Sequence, residues 1–388
     1  MNSEKSSFLS RRTVVASLVL ATIIVSCAVA STIFMRMWER DLIIPGPGVT
    51  KVVWLSDYFP ALKGSPGDTR IFFLDSGVPG ATISVMGGTH PDETAGTMTA
   101  VLLIENAIVK KGRLIVMPQS NASGFSHNLS QEAFPQYIHY TTKDGSIRRF
   151  RGGSRQTNPI HHWPDPEVFV HHPTGQKLSG EEVRNLNRGY PGREDGTFTE
   201  KVAYAITTMV RNEKVDVNMD LHEAWPEYPF INAIGTHERA RDLATFVAMN
   251  LQSQNIPISV EMSPAKFRGL TYRELGDYTS ALTLLSETPS AVISRLRGVT
   301  DETLAIEGKD AFIADASKLK RTFVPFTEEG WPMTVRVGRN LAMIQEIMSV
   351  YSEDHPDKEV EMEGVPTYDE IITKQIGDYL NPASEKSK

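Results

Sequence analysis

Two periods of apolar and polar residues run along this chain, and the switches between them mark its elements. Residues 13–34 contain no charged side chain and follow Arg11-Arg12. Residues 43–68 are rich in Pro and Gly, and 37–68 reads as a linker leading into the folded part. Residues 70–75 and 81–86 are short apolar runs that predict two strands, joined by a turn at Gly77-Val78-Pro79-Gly80. An apolar-rich stretch over 94–108 predicts a helix, and 112–118 a short buried strand stopped by Pro118. Strand, helix and strand of these lengths imply a parallel sheet with right-handed crossovers.

The pattern then lapses. Residues 119–196 show no clear period and are crowded with Gly, Pro, Asn, His and Arg. So long a stretch in a compact domain is usually functional. Thr197-Phe198-Thr199-Glu200 has the form of a capping box. Behind it Phe198, Val202, Ile206, Met209 and Val210 share one helical face. Val215, Val217, Met219 and Leu221 alternate with Asp216, Asn218, Asp220 and His222, the signature of a half-buried strand. Residues 229–235 predict a strand, 238–252 a helix, 281–286 a short strand ending at Glu287, and 337–351 a last helix. The remainder, 353–388, is acidic and then mixed, and reads as a peripheral tail.

Composition changes this picture in three places. A net charge of −7 over 388 residues argues against a nucleic-acid surface, which needs clustered Lys and Arg. The single cysteine, Cys27, lies in the uncharged N-terminal run, so any metal in the folded part must be held by His, Asp and Glu. Basic residues followed by an apolar run form an export signal, and the length also suits a membrane span of about 20 residues. Residues 1–36 are therefore expected to carry the chain out of the cytoplasm. They would act as a twin-arginine or ordinary cleaved signal, as a lipoprotein leader lipidated at Cys27, or as a retained membrane anchor.

The candidate chemistry begins at Gly87-Gly88-Thr89-His90-Pro91-Asp92-Glu93, a Gly-rich turn at a strand's C-terminal end, where open α/β sheets place their ligands. An imidazole and a carboxylate three residues apart can close on one metal ion. A hydrolytic zinc takes three protein ligands and leaves a fourth position open. His222, in Asp220-Leu221-His222-Glu223, ends another predicted strand and is the candidate third ligand beside His90 and Glu93. A metal-activated water needs a proton acceptor. Glu287, closing Leu284-Leu285-Ser286, is the candidate; Glu223 is the rival, placed by its adjacency to His222 on the opposite strand face. Arg184-Asn185-Leu186-Asn187-Arg188-Gly189-Tyr190-Pro191-Gly192 offers guanidinium groups that bind carboxylates bidentately, or else solvated loop arginines. His161-His162 and His171-His172 read as surface histidines, with a second metal site as the alternative.

These motifs occur together, in this order and at comparable separations, in the zinc carboxypeptidase superfamily. The chain most resembles its succinylglutamate desuccinylase/aspartoacylase branch, over roughly residues 69–300. The resemblance implies a three-layer αβα sandwich around a mixed, mostly parallel sheet, with a zinc hydrolase domain over 69–352 and a long insertion at about 119–183. It implies one Zn2+ per chain on His90, Glu93 and His222, with Glu287 as acid/base. Asn187 and Arg188 would hold a free carboxylate on a small-molecule or peptide substrate. For the arginine that stabilises the oxyanion, Arg184 is the first candidate, with Arg151 and Arg155 behind it. The family usually has Asp where this chain has Asn185. The implied reaction is cleavage of an amide next to a carboxylate. A zinc esterase with the same site and an inactive carboxylate-binding module are the alternatives.

Overall fold

The computed structural model describes residues 10–128 and 134–383. The start of the expected export segment, residues 129–133 of the insertion and the end of the tail lie outside the described residues. The chain forms two compact units, 1–40 and 41–388. In the first, α1 (Arg11–Arg36) is a 26-residue helix with no buried side chain, capped by Ser10 accepting from the Thr13 N–H. It is long and apolar enough to cross a membrane.

Among the described residues the second unit holds fourteen strands: β1 (Lys51–Trp54), β2 (Arg70–Asp75), β3 (Thr82–Met86), β4 (Ile108–Lys111), β5 (Arg113–Met117), β6 (Tyr137–Thr141), β7 (Ile147–Arg151), β8 (Val168–Val170), β9 (Lys177–Ser179), β10 (Val217–Ala224), β11 (Ala233–Thr236), β12 (Ser259–Met262), β13 (Leu282–Pro289) and β14 (Glu361–Glu363). Eight of them make one mixed sheet in the order β1-β2-β5-β3-β10-β13-β11-β12. Its centre, β5-β3-β10-β13, is parallel throughout. The turn after β2 does not make β2 and β3 neighbours, because β5 lies between them, antiparallel to β2 and parallel to β3.

Strand alternation sends side chains to two cores. Phe72, Leu74, Leu114 and Val116 face one helical layer, made by α2 (Thr94–Asn106), α5 (Arg241–Ser253) and α9 (Met333–Asp354). Ile71, Phe73, Ile115 and Met117 face the other, where α4 (Phe198–Asn212) and α6 (Thr271–Tyr278) pack. Each such side chain contributes ~1.5–3 kcal/mol of burial. The result is the three-layer αβα arrangement.

Four expectations change. β10 is buried at all eight positions, not on one face only. Its polar side takes partners from within the protein: the Ser84 hydroxyl donates to Asn218 (2.6 Å) and that of Thr89 to Asp220 (2.8 Å). The 37–68 linker supplies the edge strand β1 and buries Leu55, Phe59 and Leu62. The 119–196 loop holds two hairpins, β6–β7 and β8–β9, and the short helix α3 (Leu186–Gly189). The C-terminal segment is not peripheral: β14 pairs with β4, and Ile371, Ile376 and Leu380 join the core. Ile371 belongs to α10 (Tyr368–Ile372), which follows the short helices α7 (Glu302–Glu307) and α8 (Ala311–Lys318) in the chain. Widely spaced apolar residues in an acidic background hid that packing.

Candidate metal centre and substrate cavity

Parallel pairing of β3 and β10 puts the chain after Met86 and the end of β10 at the same sheet edge. Gly88 turns the chain there with φ +67, and a side chain on it would strike the ring of Phe125. The Thr89 bond to Asp220 ties this turn to β10. His90, Glu93 and His222 thereby converge, all buried, with one donor atom of each within 4.8 Å of the others. Among the described residues this is the one group of three or more such side chains placed to hold a metal.

The hydrogen bonds show which nitrogens face inward. His90 Nδ1 lies 2.7 Å from Glu93 Oε1, and His222 Nδ1 lies 2.8 Å from Glu93 Oε2; the two Nδ1 atoms are 3.1 Å apart. The outer nitrogens meet protein oxygens. His90 Nε2 is 3.0 Å from Asn185 Oδ1, and His222 Nε2 is 2.9 Å from Asp220 Oδ2, although out of line for a hydrogen bond. Outer oxygens of this kind fix the tautomer and ring orientation of metal-bound histidines. The donor set therefore fits a zinc ion: two imidazole nitrogens and a carboxylate directed at one another. Asn185 gives His90 a neutral oxygen where the family pattern has an acid.

Electrostatics bear the same stamp. Burial and then Arg155 lower the pKa of His90 to about 4. Burial also opposes the charge on His222, but Asp220 and Glu93 outweigh it and raise the pKa well above its ordinary value. Burial would raise Glu93, yet His90 and His222 hold it well below the usual carboxylate range.

His90 and Glu93 line a cavity of about 700 Å³ that also holds Glu287, Arg155, Asn187 and Arg188. Glu287 pairs in register with His222 across the parallel β10–β13 ladder, so the two are neighbours on one sheet face. Burial, and next the charge of Glu93, raise the Glu287 pKa to about 8. Glu223 also lines the cavity, but its carboxylate is engaged, accepting from Arg336 Nη1 (2.6 Å) and the Ala95 N–H (3.1 Å), both buried. Asn187 Oδ1 accepts from the Thr271 N–H (2.8 Å) and hydroxyl (3.0 Å), leaving its amide N–H groups as the donors on offer. Arg188 lies over the Phe267 ring at 4.7 Å, and its buried Nε is 3.7 Å from Glu182 Oε2, an ion pair without a hydrogen bond.

Arg184 is not part of this group. Its Nε donates to Asp165 Oδ1 (2.8 Å) and its Nη1 to the Thr157 carbonyl, away from the cavity lining. Arg151 is bound to Asp41. Arg155 is the arginine at the site, with Nη1 2.9 Å from Glu93 Oε1. The histidine pairs of the insertion are neither a metal cluster nor mainly surface groups. His161 faces Ser123, His162 faces Thr199, and His171 sits between Thr174 and the Tyr190 carbonyl; His172 is exposed. Sequence reading missed Tyr228, which lines the cavity with its phenol pKa raised by burial and by Glu287. The cluster Trp225-Pro226-Glu227-Tyr228-Pro229-Phe230, directly after the metal-ligand motif, was the available signal.

No known family model and no curated protein matches the chain. Solved structures do. A succinylglutamate desuccinylase from a Silicibacter species is 20% identical with a TM-score of 0.36, over 57% of this chain and 53% of that one. A metallo-carboxypeptidase from Burkholderia cenocepacia is 12% identical with a TM-score of 0.43, over 77% and 68%. The tripeptide-bound cell shape determinant protein of Helicobacter pylori is 10% identical with a TM-score of 0.44, over 79% and 59%. The chain thus spans about half the length of the desuccinylase. The matched structures include desuccinylase/aspartoacylase proteins and a metallo-carboxypeptidase.

Proposed function

We propose that this protein is a zinc-dependent hydrolase that cleaves an amide bond next to a free carboxylate, working outside the cytoplasm behind its N-terminal apolar segment. The observation that carries the reading is the convergence of His90 Nδ1, His222 Nδ1 and the Glu93 carboxylate beside a half-buried Glu287, in the same cavity as Arg188. When bound, zinc supplies Lewis-acid chemistry, lowering the pKa of a water molecule from about 15.7 towards 7.

The chain's own residues do the rest. Arg188, backed by Phe267, and the Asn187 amide hold the substrate carboxylate and so orient the scissile bond. Glu287 accepts the proton of the attacking water through its carboxylate and returns it to the departing amine. Arg155 replaces Arg184 as the guanidinium that stabilises charge developing on the carbonyl oxygen. Tyr228, kept protonated by its raised pKa, offers a further hydrogen-bond donor to the substrate.

The test is metal analysis of the purified protein with turnover of N-acyl amino acids and short peptides, with and without chelator. One zinc per chain and chelator-sensitive turnover are expected. His222→Ala should fall well below one equivalent; unchanged stoichiometry would remove His222 from the site.

A further inference from the structure

The cavity has a second half that the chemistry does not use. Phe267, under the Arg188 guanidinium, belongs with Phe230, Leu270, Tyr272 and Leu285 to a small apolar cluster separate from the two main cores. All five line the cavity. Leu285 precedes Glu287 by two positions on β13, so both project to the same face of the sheet. In the antiparallel register Gly235 of β11 sits opposite Leu285. A Cβ on Gly235 would lie 2.8 Å from the Phe230 ring and 3.3 Å from that of Tyr272. The bare backbone at this position is what lets both rings lie against the sheet.

We infer that this aromatic floor, between the Arg188 guanidinium and the Glu287 carboxylate, selects substrates whose carboxylate-bearing residue has a bulky apolar side chain, such as Phe or Leu. The inference rests on the reading of Arg188 as the carboxylate anchor. A side chain on the carbon between an anchored carboxylate and an amide at Glu287 falls on these rings. Volume agrees, since a cavity of about 700 Å³ is within the range that encloses ligands much larger than an acetylated small amino acid.

The experiment uses the full chain loaded with zinc. Dissociation constants of N-acetyl-Phe, -Leu, -Gly and -Asp are measured by calorimetry on Glu287→Gln, and kcat/KM on wild type. The Phe and Leu compounds should have dissociation constants at least tenfold lower, and kcat/KM at least tenfold higher, than those of Gly and Asp. Gly235→Ala should erase most of that preference while leaving N-acetyl-Gly unchanged. If Gly235→Ala fails to fold, as judged by circular dichroism, Phe230→Ala takes its place and should likewise erase most of the preference. Equal or tighter binding of N-acetyl-Asp overturns the apolar preference and leaves the deacylase reading standing. Failure of all four to bind a protein holding one zinc per chain would end the carboxylate-anchor reading, and the preference with it.

Discussion

The strand ends and the 119–196 loop carry the same residue types and use them differently. Both regions hold buried histidines: His90 and His222 at the strand ends, His162 and His171 in the loop. In the loop each ring is closed off by its own neighbour, a threonine hydroxyl or a backbone carbonyl. At the strand ends the outer nitrogens are held by Asn185 and Asp220, and the inner ones face each other across Glu93. The arginines divide in the same manner, since Arg184 is spent on Asp165 while Arg155 and Arg188 line the cavity. Burial alone therefore does not mark a site; what marks it is polar atoms that converge on one another instead of on separate partners.

The largest effect should come from the two glutamates. Glu287→Gln keeps shape and zinc but cannot take a proton, and should lose on the order of 10² to 10⁴ in turnover. Glu223→Gln should instead strand the buried Arg336 and cost stability, about 3–5 kcal/mol in denaturant melts, with the residual turnover of folded protein near normal. The reverse result would exchange their roles.

Outer partners sharpen the histidine comparison. Asp220→Asn should weaken zinc affinity by about 10- to 100-fold, read by chelator competition. Thr199→Val removes the partner of His162 in the loop and should leave zinc affinity untouched, at a stability cost of ~1 kcal/mol. Loss of zinc in the threonine variant would join the two regions into one site.

For the arginines, Arg188→Lys retains the charge but not the planar fork. It should lower kcat/KM for free acids by about ten- to a hundredfold, the worth of a charge-assisted hydrogen bond of roughly 1.5–3 kcal/mol. The same substrates as methyl esters should show no such loss. Equal losses on both would assign Arg188 to the fold or the oxyanion.

A further effect concerns pH. In zinc-free protein Glu287 keeps its proton up to about pH 8, against 4.5 when unfolded. The folded state then binds more protons than the unfolded one across that window, so this residue's contribution to stability declines as pH rises from about 4.5 to 8. Glu287→Gln should flatten that part of the stability–pH curve, measured by denaturant titration in chelator. An unchanged slope would mean that Glu287 titrates as an exposed carboxylate.

Much of the sheet was readable because its strands are short apolar runs bounded by Gly and Pro. The helix signals of Thr197 and Glu200 are realised as a capping box. His90, Glu93, His222 and Glu287 stood out because each closes or directly follows a strand, and parallel strands share an edge. Arginine choice was not readable, since Asp165 and Glu93 reach Arg184 and Arg155 only through the folded loop. The hairpins β6–β7 and β8–β9 escaped notice because their exposed faces mix charge with apolar residues such as Ile147, Val168 and Val170. Tyr228 and the Phe267 cluster acquire meaning only when α6, β11 and β13 meet.

The register between β10 and β13 has one more consequence. His222 stands opposite Glu287, although 65 positions separate them in the chain. A hydrogen-bonded ladder can shift only by whole residues, so a slip of β13 would present Ser286 or Thr288 in place of the glutamate. Chemistry written in strand register is thus digital, kept or lost outright. Recognition written in the connecting loops, where Asn187, Arg188 and Phe267 lie, can drift by degrees. A lineage built on this scaffold is free to change its substrates by lengthening loops while its proton carrier stays locked in place.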